Sequence, residues 1–281
     1  MDKLLETLKL IRVVNCLLAM AGVYIGAYMT WTVPVYYGPV MTAIAAFFVC
    51  AVGNIVNDIA DIEIDRINRP RRVLVKGTLS RSRAVKTAII FALTALVAAL
   101  AVNTALLIAV TAALGLLLLY NFYLKKIPVV GNIVVALLSA LTFLTGGLAV
   151  NYRWLFELPG PLVPAVFAFF FHLVREILKD VEDIDGDLQA GVKTLPQIIG
   201  VSKSLLTIIV LFFVLVLATY VPILTGWFGR AYEILVVYIV DLPLLLLLIF
   251  VWGNPSARML RVGSYALKAG MVLGLAALIT A

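Results

Sequence analysis

Charge is scarce in this chain. Only 13% of its 281 residues are Asp, Glu, Lys or Arg, 64% are apolar, and the mean hydropathy is +1.11. Soluble domains carry about a quarter charged residues, so a water-facing surface over most of the chain is excluded. Histidine is scarcer still: His172 is the only one, which excludes the imidazole clusters of zinc centres. Cys16 and Cys50 both fall in apolar runs without metal-type spacing. Neither a disulfide framework nor a thiolate metal site is therefore expected, and both are read as small core residues.

What remains is apolar sequence in long runs. A helix crossing hydrocarbon needs about 20 mostly apolar residues. Nine such stretches lie near 10–31, 36–57, 84–102, 104–121, 128–150, 161–181, 203–224, 231–252 and 262–280. This predicts an all-α, polytopic membrane protein, with nine transmembrane helices in one bundle and residues 1–281 as a single transmembrane domain. Charged residues Asp2, Lys3, Glu6, Lys9 and Arg12 precede or open the first run, and no small-residue cleavage site follows it. It is expected to anchor the chain rather than to be removed.

Cytoplasmic loops collect Lys and Arg. With nine helices and a cytoplasmic N-terminus, all of the 22 Lys and Arg except Arg153 and Arg230 fall at inner ends or loops. A miscounted helix would invert every later loop, so this agreement supports nine. The expected location is the cell membrane, with polar chemistry on the cytoplasmic face. Outer connections such as "WTVPVYYGPV" carry no charge.

Two acidic stretches stand out on that face. In "NDIADIEID", Asp58, Asp61 and Asp65 have the spacing D-x-x-D-x-x-x-D, and Asp180, Asp183 and Asp187 repeat it in "KDVEDIDGD". At about 100° per residue, three such carboxylates fall within an arc of roughly 60° on one helix, with Asn57 slightly wider and Glu63 pointing away. A single acidic cluster past a membrane helix is commonly a solvated loop. Two with one spacing, each followed by Gly and cationic residues, argue against that. Carboxylates this close repel unless a cation sits among them. Mg²⁺ takes oxygen ligands and bridges carboxylates to phosphates, whereas zinc finds no His or Cys nearby. Carboxylates, Mg²⁺, Arg and Lys together suit a diphosphate leaving group, and an apolar bundle suits an isoprenyl tail.

With these motifs in place, the sequence resembles the UbiA-type intramembrane prenyltransferases over nearly its whole length. The residues that carry the resemblance are Asn57, Asp58, Asp61 and Asp65, the following "NRPRRVLVKG", the pair Asp183 and Asp187, and Lys193 in "GVKTLP". The resemblance implies a central cavity open sideways to lipid, with Mg²⁺ held between the two motifs. It assigns Mg²⁺–diphosphate to Asn57, Asp61, Asp65, Asp183 and Asp187, with Asp58 and Asp180 either direct ligands or one step behind. It offers Arg66, Arg69, Arg72, Lys76 and Lys193 to the diphosphate oxygens, although on spacing alone each is equally an ordinary inner-loop cation. In "YNFYLKK", Lys125 follows Tyr120 by five residues where four is common, so either Tyr120 or Tyr123 faces the substrate or belongs to an interfacial aromatic belt.

The stretch "IRVVNCLLA" places Arg12 and Asn15 at i and i+3, and an Arg at the membrane is a functional suspect as well as a snorkelling one. With "GNIVVALLSALTFLTGG" and residues 179–196, it most resembles archaeal digeranylgeranylglyceryl phosphate synthases. That branch implies transfer from geranylgeranyl diphosphate to the free hydroxyl of geranylgeranylglyceryl phosphate, forming an ether. Arg12, Lys125, Lys126, Arg258 and Arg261 are spare cations for the acceptor phosphate. Asp58 or Asp180 is the candidate general base. Prenylation of an aromatic ring or of haem is the alternative within the family, and a divalent-cation or solute transporter the non-enzyme one. No nucleic-acid partner is expected. His172 is expected to be a hydrogen-bonded bundle histidine. Asp241 either caps a break before Pro243 or pairs with a neighbour.

Overall fold

The structure, a computed structural model, describes residues 3–30, 37–189 and 191–281, without the side chains of Ile67, Asn68 and Trp154. The expected uncharged outer connection at 31–36 therefore lies outside the described residues. Backbone amides in hydrocarbon have no water to bond, so helices carry the chain, and among the described residues there is no strand.

The first part of the chain builds one compact unit, residues 1–125 with 142–156. It holds α1 (Lys3–Ile11), α2 (Val13–Tyr28), α3 (Tyr37–Ala60), α4 (Ile62–Asn68), α5 (Arg81–Leu100) and α6 (Thr104–Phe122), together with the second half of α7 (Val130–Val150). The second unit, residues 126–141 with 157–281, takes the first half of α7. It continues with α8 (Leu162–Glu182), α9 (Ile184–Gln189), α10 (Leu195–Ile199), α11 (Val201–Leu224), α12 (Arg230–Glu233), α13 (Leu242–Gly253) and α14 (Ala257–Ile279). Three helix starts are capped by a short polar side chain: Asn103 accepts from the Leu106 amide at 2.7 Å, Ser80 from Arg83 and Ser256 from Met259, each at 3.3 Å.

Among the described residues, seven helices are long and apolar enough to cross a membrane, with residues 230–253 counted as one. The pair α1 and α2 adds an eighth if taken as one span bent by 53°. Helix α8 matches the stretch expected at 161–181. Its last turns carry Arg175, Glu176, Lys179, Asp180 and Glu182, too much charge for the others' class. Large apolar residues such as Leu93, Val97, Ile108, Leu217 and Leu246 are exposed, as lipid-facing positions must be.

Two sequence expectations need correction. The first span is not continuous: Arg12 breaks it in the left-handed region at φ 52°. The first acidic motif does not ride a single helix either, because α3 stops at Ala60 and α4 begins at Ile62, leaving Asp61 between them.

Small residues set the packing of the first unit. Ala45, Ala95, Ala98 and Ala99 are buried with Leu106 and Val110 where α3, α5 and α6 meet. Val73, Leu74 and Leu79, from the basic segment after α4, are buried with Leu10, Ile11, Ala51 and Ile55. Those apolar anchors, interleaved with the cations, hold the segment against α1 and α3. In the second unit, Ile177, Leu178 and Val181 of α8 pack with Leu205, Ile208 and Phe212 of α11 and with Leu248, Val251 and Leu267.

The span at 230–253 contains a π-helical stretch, Ile234–Asp241, just before Pro243. Pro has no N–H to give, and wider turns near such a site are an ordinary accommodation. Asp241 ends this stretch buried, accepting from the Thr219 hydroxyl at 2.6 Å, and makes no side-chain cap bond. Of its two expected roles it takes the pairing one.

Glycines at 26 and 146 hold α2 and α7 at backbone contact. A Cβ on Gly26 would lie 2.0 Å from the Phe143 carbonyl oxygen, and one on Gly146 would lie 2.1 Å from that of Val23. Gly26→Ala or Gly146→Ala should each destabilise by about 2–4 kcal/mol. Gly115→Ala, where a Cβ meets nothing within 4 Å, should be neutral or slightly stabilising. Thermal unfolding in detergent reads the difference, and equal melting points for all three would refute this packing.

Candidate active site

The two acidic motifs share more than spacing. Asp61 follows the end of α3 with φ −101° and ψ 10°, and Asp183 follows the end of α8 with φ −96° and ψ 9°. This is the sparsely populated bridge region, where active-site residues often sit. Each Asp still donates its amide back four residues, Asp61 to Asn57 at 2.9 Å and Asp183 to Lys179 at 2.9 Å. Each also receives from the last Asp of its motif, Asp65 at 2.7 Å and Asp187 at 3.0 Å. A hinge at the middle carboxylate, with the hydrogen-bond ladder kept on both sides, is thus repeated in the two units.

In the first unit the carboxylates are tied to cations. Asp58 is buried, and its Oδ1 accepts from Arg12 Nη2 at 2.6 Å and from Arg72 Nη1, which also reaches Asp65 Oδ2 at 2.8 Å. Lys125 pairs with Asp61 Oδ1. The Asn57 amide donates to Asp61 Oδ2 at 2.9 Å and to Asn121 Oδ1 at 3.2 Å. Arg12 further donates to Asn54 Oδ1 at 3.3 Å, while Asn54 donates to the Ile11 carbonyl at 2.8 Å. The break at Arg12 frees that carbonyl and turns the guanidinium onto α3. A non-Gly residue in the left-handed region is uncommon and costs energy; here three polar partners, Asn54, Asn57 and the buried carboxylate of Asp58, offset the cost.

Burial sets the electrostatics. It raises the Asp65 carboxyl above the ordinary range against the opposing pull of Arg72. It also lowers the Arg72 guanidinium, helped by the nearby charge of Arg12. Cations and carboxylates are in this way matched closely in a place where an unmatched charge is expensive.

In the second unit Asp180 accepts from Asn132 Nδ2 at 2.8 Å. Glu176, one turn earlier, is buried and bonded to Arg175 at 2.6 Å, with Lys179 at 3.6 Å. The expectation for His172 is corrected: its Nδ1 is buried and, among the described residues, has no hydrogen-bond partner.

The remaining expected residues are spread more widely. Arg66 is exposed and bonds Glu63 at 2.9 Å, as befits the Glu that points away from the other acids. Arg69 is half-buried, and Lys76 and Lys193 are exposed. Tyr120 is half-buried, whereas Tyr123 is 68% exposed. Asn15 is half-buried, and Lys126, Arg258 and Arg261 are exposed. Sequence reasoning missed Asn54, Asn121 and Asn132. Each is an amide in an apolar helix, lone on its helix at 121 and 132, and that rarity was the available signal.

Among the described residues, no three Asp, Glu, His or Cys side chains stand close enough together to hold a metal. Oxygen is nonetheless the available donor: Asn57, Asp61 and Asp65 offer it on one short stretch, Asp183 and Asp187 on the other. That donor chemistry fits Mg²⁺.

Removing one partner of a buried ion pair strands the other. Arg72→Ala should therefore cost about 3 kcal/mol of stability, whereas Arg66→Ala should stay within about 0.5 kcal/mol. Denaturation in detergent measures both, and equal effects would contradict the pairing of Arg72 with Asp58 and Asp65.

Comparison with known proteins agrees with this architecture. Digeranylgeranylglyceryl phosphate synthase of Methanopyrus kandleri is 36% identical over 275 residues, covering 96% of each chain. A solved structure of a digeranylgeranylglyceryl phosphate synthase is 34% identical, covers 99% of this chain and 98% of its own, and superposes with a TM-score of 0.74. A UbiA homolog of Archaeoglobus fulgidus, solved with GPP and Mg²⁺, shares the fold at a TM-score of 0.66 and 22% identity, covering 98% of this chain and 99% of its own. The UbiA prenyltransferase family pattern matches residues 15–268, and the chain belongs to that family.

Proposed function

We propose that the chain transfers a geranylgeranyl group from geranylgeranyl diphosphate to the free hydroxyl of geranylgeranylglyceryl phosphate, releasing diphosphate and forming the second ether bond of an archaeal lipid. The observation that carries this is the repeated hinge at Asp61 and Asp183, each in an acidic motif of one spacing. Relatives at 31–36% identity that carry this activity in their names support the choice of acceptor. Residues 1–281 act as a single prenyltransferase domain of nine crossings around a lipid-open cavity, with the N-terminus and the site on the cytoplasmic side.

Asn57, Asp61 and Asp65 of one motif and Asp183 and Asp187 of the other would hold Mg²⁺ for the diphosphate. Bound there, the ion neutralises the charge that grows on the leaving group. Arg12, Arg69 and Arg72 add fixed positive charge, with Asp58 keeping two of these guanidiniums in place. Lys125 holds Asp61 until the substrate arrives. Arg66, Lys76 and Lys193 lie exposed and serve as an outer attraction for anions. The C1–O bond of the diphosphate breaks, Tyr120 stabilises the allylic cation through its ring face, and the glycerol oxygen forms the new C–O bond. Its proton passes to Asp180, since Asp58 already accepts from two guanidiniums.

Purified protein with Mg²⁺ and geranylgeranyl diphosphate should give ether product with geranylgeranylglyceryl phosphate and none with an aromatic acid. Ring prenylation alone would overturn the assignment. EDTA should stop turnover and added Mg²⁺ restore it. Asp61→Ala or Asp187→Ala should each abolish turnover while the protein still folds, with Asp61→Ala somewhat less stable because it strands Lys125; full activity in both would reduce the motifs to loop charge.

A further inference from the structure

The two motifs differ at their first carboxylate. Asp58 and Asp180 occupy the same place in the D-x-x-D-x-x-x-D pattern, three residues before the hinge. Asp58 is locked by two guanidiniums. Asp180 is half-buried on the last turns of α8, and its one hydrogen-bond donor among the described residues is the Asn132 amide, at 2.8 Å to Oδ2. A carboxylate accepts only, so the NH₂ end of Asn132 must face it. This donor is neutral. It fixes the orientation of the carboxylate without cancelling its charge, and it engages only one of the two oxygens.

The start of α7 is built around that contact. Val129 has φ 69°, a genuine outlier for a β-branched residue. The Val130 amide closes a tight turn across it onto the Pro128 carbonyl at 2.8 Å. Asn132 follows in the first helical turn and is buried, while its neighbour Ile133 is exposed. Strain of this kind persists only where surrounding contacts over-determine the backbone, and it concentrates at functional sites. The turn at Val129 fixes where α7 begins, and so which residue of its first turn meets α8.

We infer that Asn132 is a positioning residue for the reaction: its amide holds Asp180 in the orientation in which the free oxygen receives the acceptor's hydroxyl. The inference rests on the prenyl-transfer reading and on Asp180's place in it, and it holds for a glycerol hydroxyl or any other hydroxyl acceptor. Partners that orient a working carboxylate or ligand typically matter by about 10–100-fold.

The test is a double-mutant cycle on the full-length protein in detergent, with Asn132→Ala, Asp180→Ala and the combination. It is run on whichever acceptor the wild type prenylates, so failure of the ether assignment stays separate from failure of the inference. Asn132→Ala should lower kcat by about 10–100-fold with KM for the diphosphate nearly unchanged. It should cause no further loss in the Asp180→Ala background, and Asn132→Ser, which keeps a donor, should recover part of the rate. Multiplicative losses in the double variant, an effect on KM alone, or an unchanged kcat would each overturn the inference. If Asn132→Ala fails to fold, the same cycle with Asn132→Ser decides, by whether its smaller loss vanishes on Asp180→Ala.

Discussion

Carboxylates at the end of a hydrocarbon-bound helix have to be compensated, and much of the first unit is arranged around how that is done. Asp58 and Asp65 are buried, and a buried charge without a partner is among the costliest features a fold can carry. Arg72 answers both, Arg12 answers Asp58, and Lys125 answers Asp61. Two of these cations, Arg12 and Lys125, come from distant chain segments. Arg12 is delivered by the break between α1 and α2. Arg72 is delivered by a segment whose Val73 and Leu74 are buried beside Leu10 and Ile11. Charge compensation and apolar anchoring thus act on adjacent residues of one loop.

The same arrangement suits a substrate that brings its own charge. In the proposed reaction a diphosphate and a divalent cation would enter as a nearly balanced set, so carboxylates and guanidiniums that pair with each other beforehand could exchange partners without leaving bare charge. Glu6 adds stiffness to this region. It is buried, accepts from Thr78 at 2.8 Å and pairs with Lys9 at 2.7 Å, and so ties α1 to the basic segment. Positioned charge that need not reorganise during reaction is what gives electrostatic catalysis its strength.

Hydropathy made the helices legible because each long apolar run can satisfy its backbone in lipid only as a helix. The acid spacing made the motifs legible because a helix converts sequence distance directly into angle. What stayed hidden depends on contacts between distant segments. Nothing local in "LIRVVNC" marks Arg12 for the left-handed region; its partners Asn54, Asn57 and Asp58 lie more than forty residues away. The hinge at Asp61 likewise escapes a pure 3.6-residue period, since "NDIADIEID" contains no Gly or Pro to announce a break. The amides at 54, 121 and 132 were visible as oddities in apolar sequence, but their partners were not.

The contrast between the two motifs sharpens the chemistry further. Identical spacing would suggest identical duty, yet the surroundings divide the work. A guanidinium beside a carboxylate makes it a fixed structural counter-charge, whereas a neutral amide holds its direction without cancelling its charge. In the proposed reaction that difference would put the charge-locked Asp58 with the diphosphate and the amide-held Asp180 with the attacking hydroxyl.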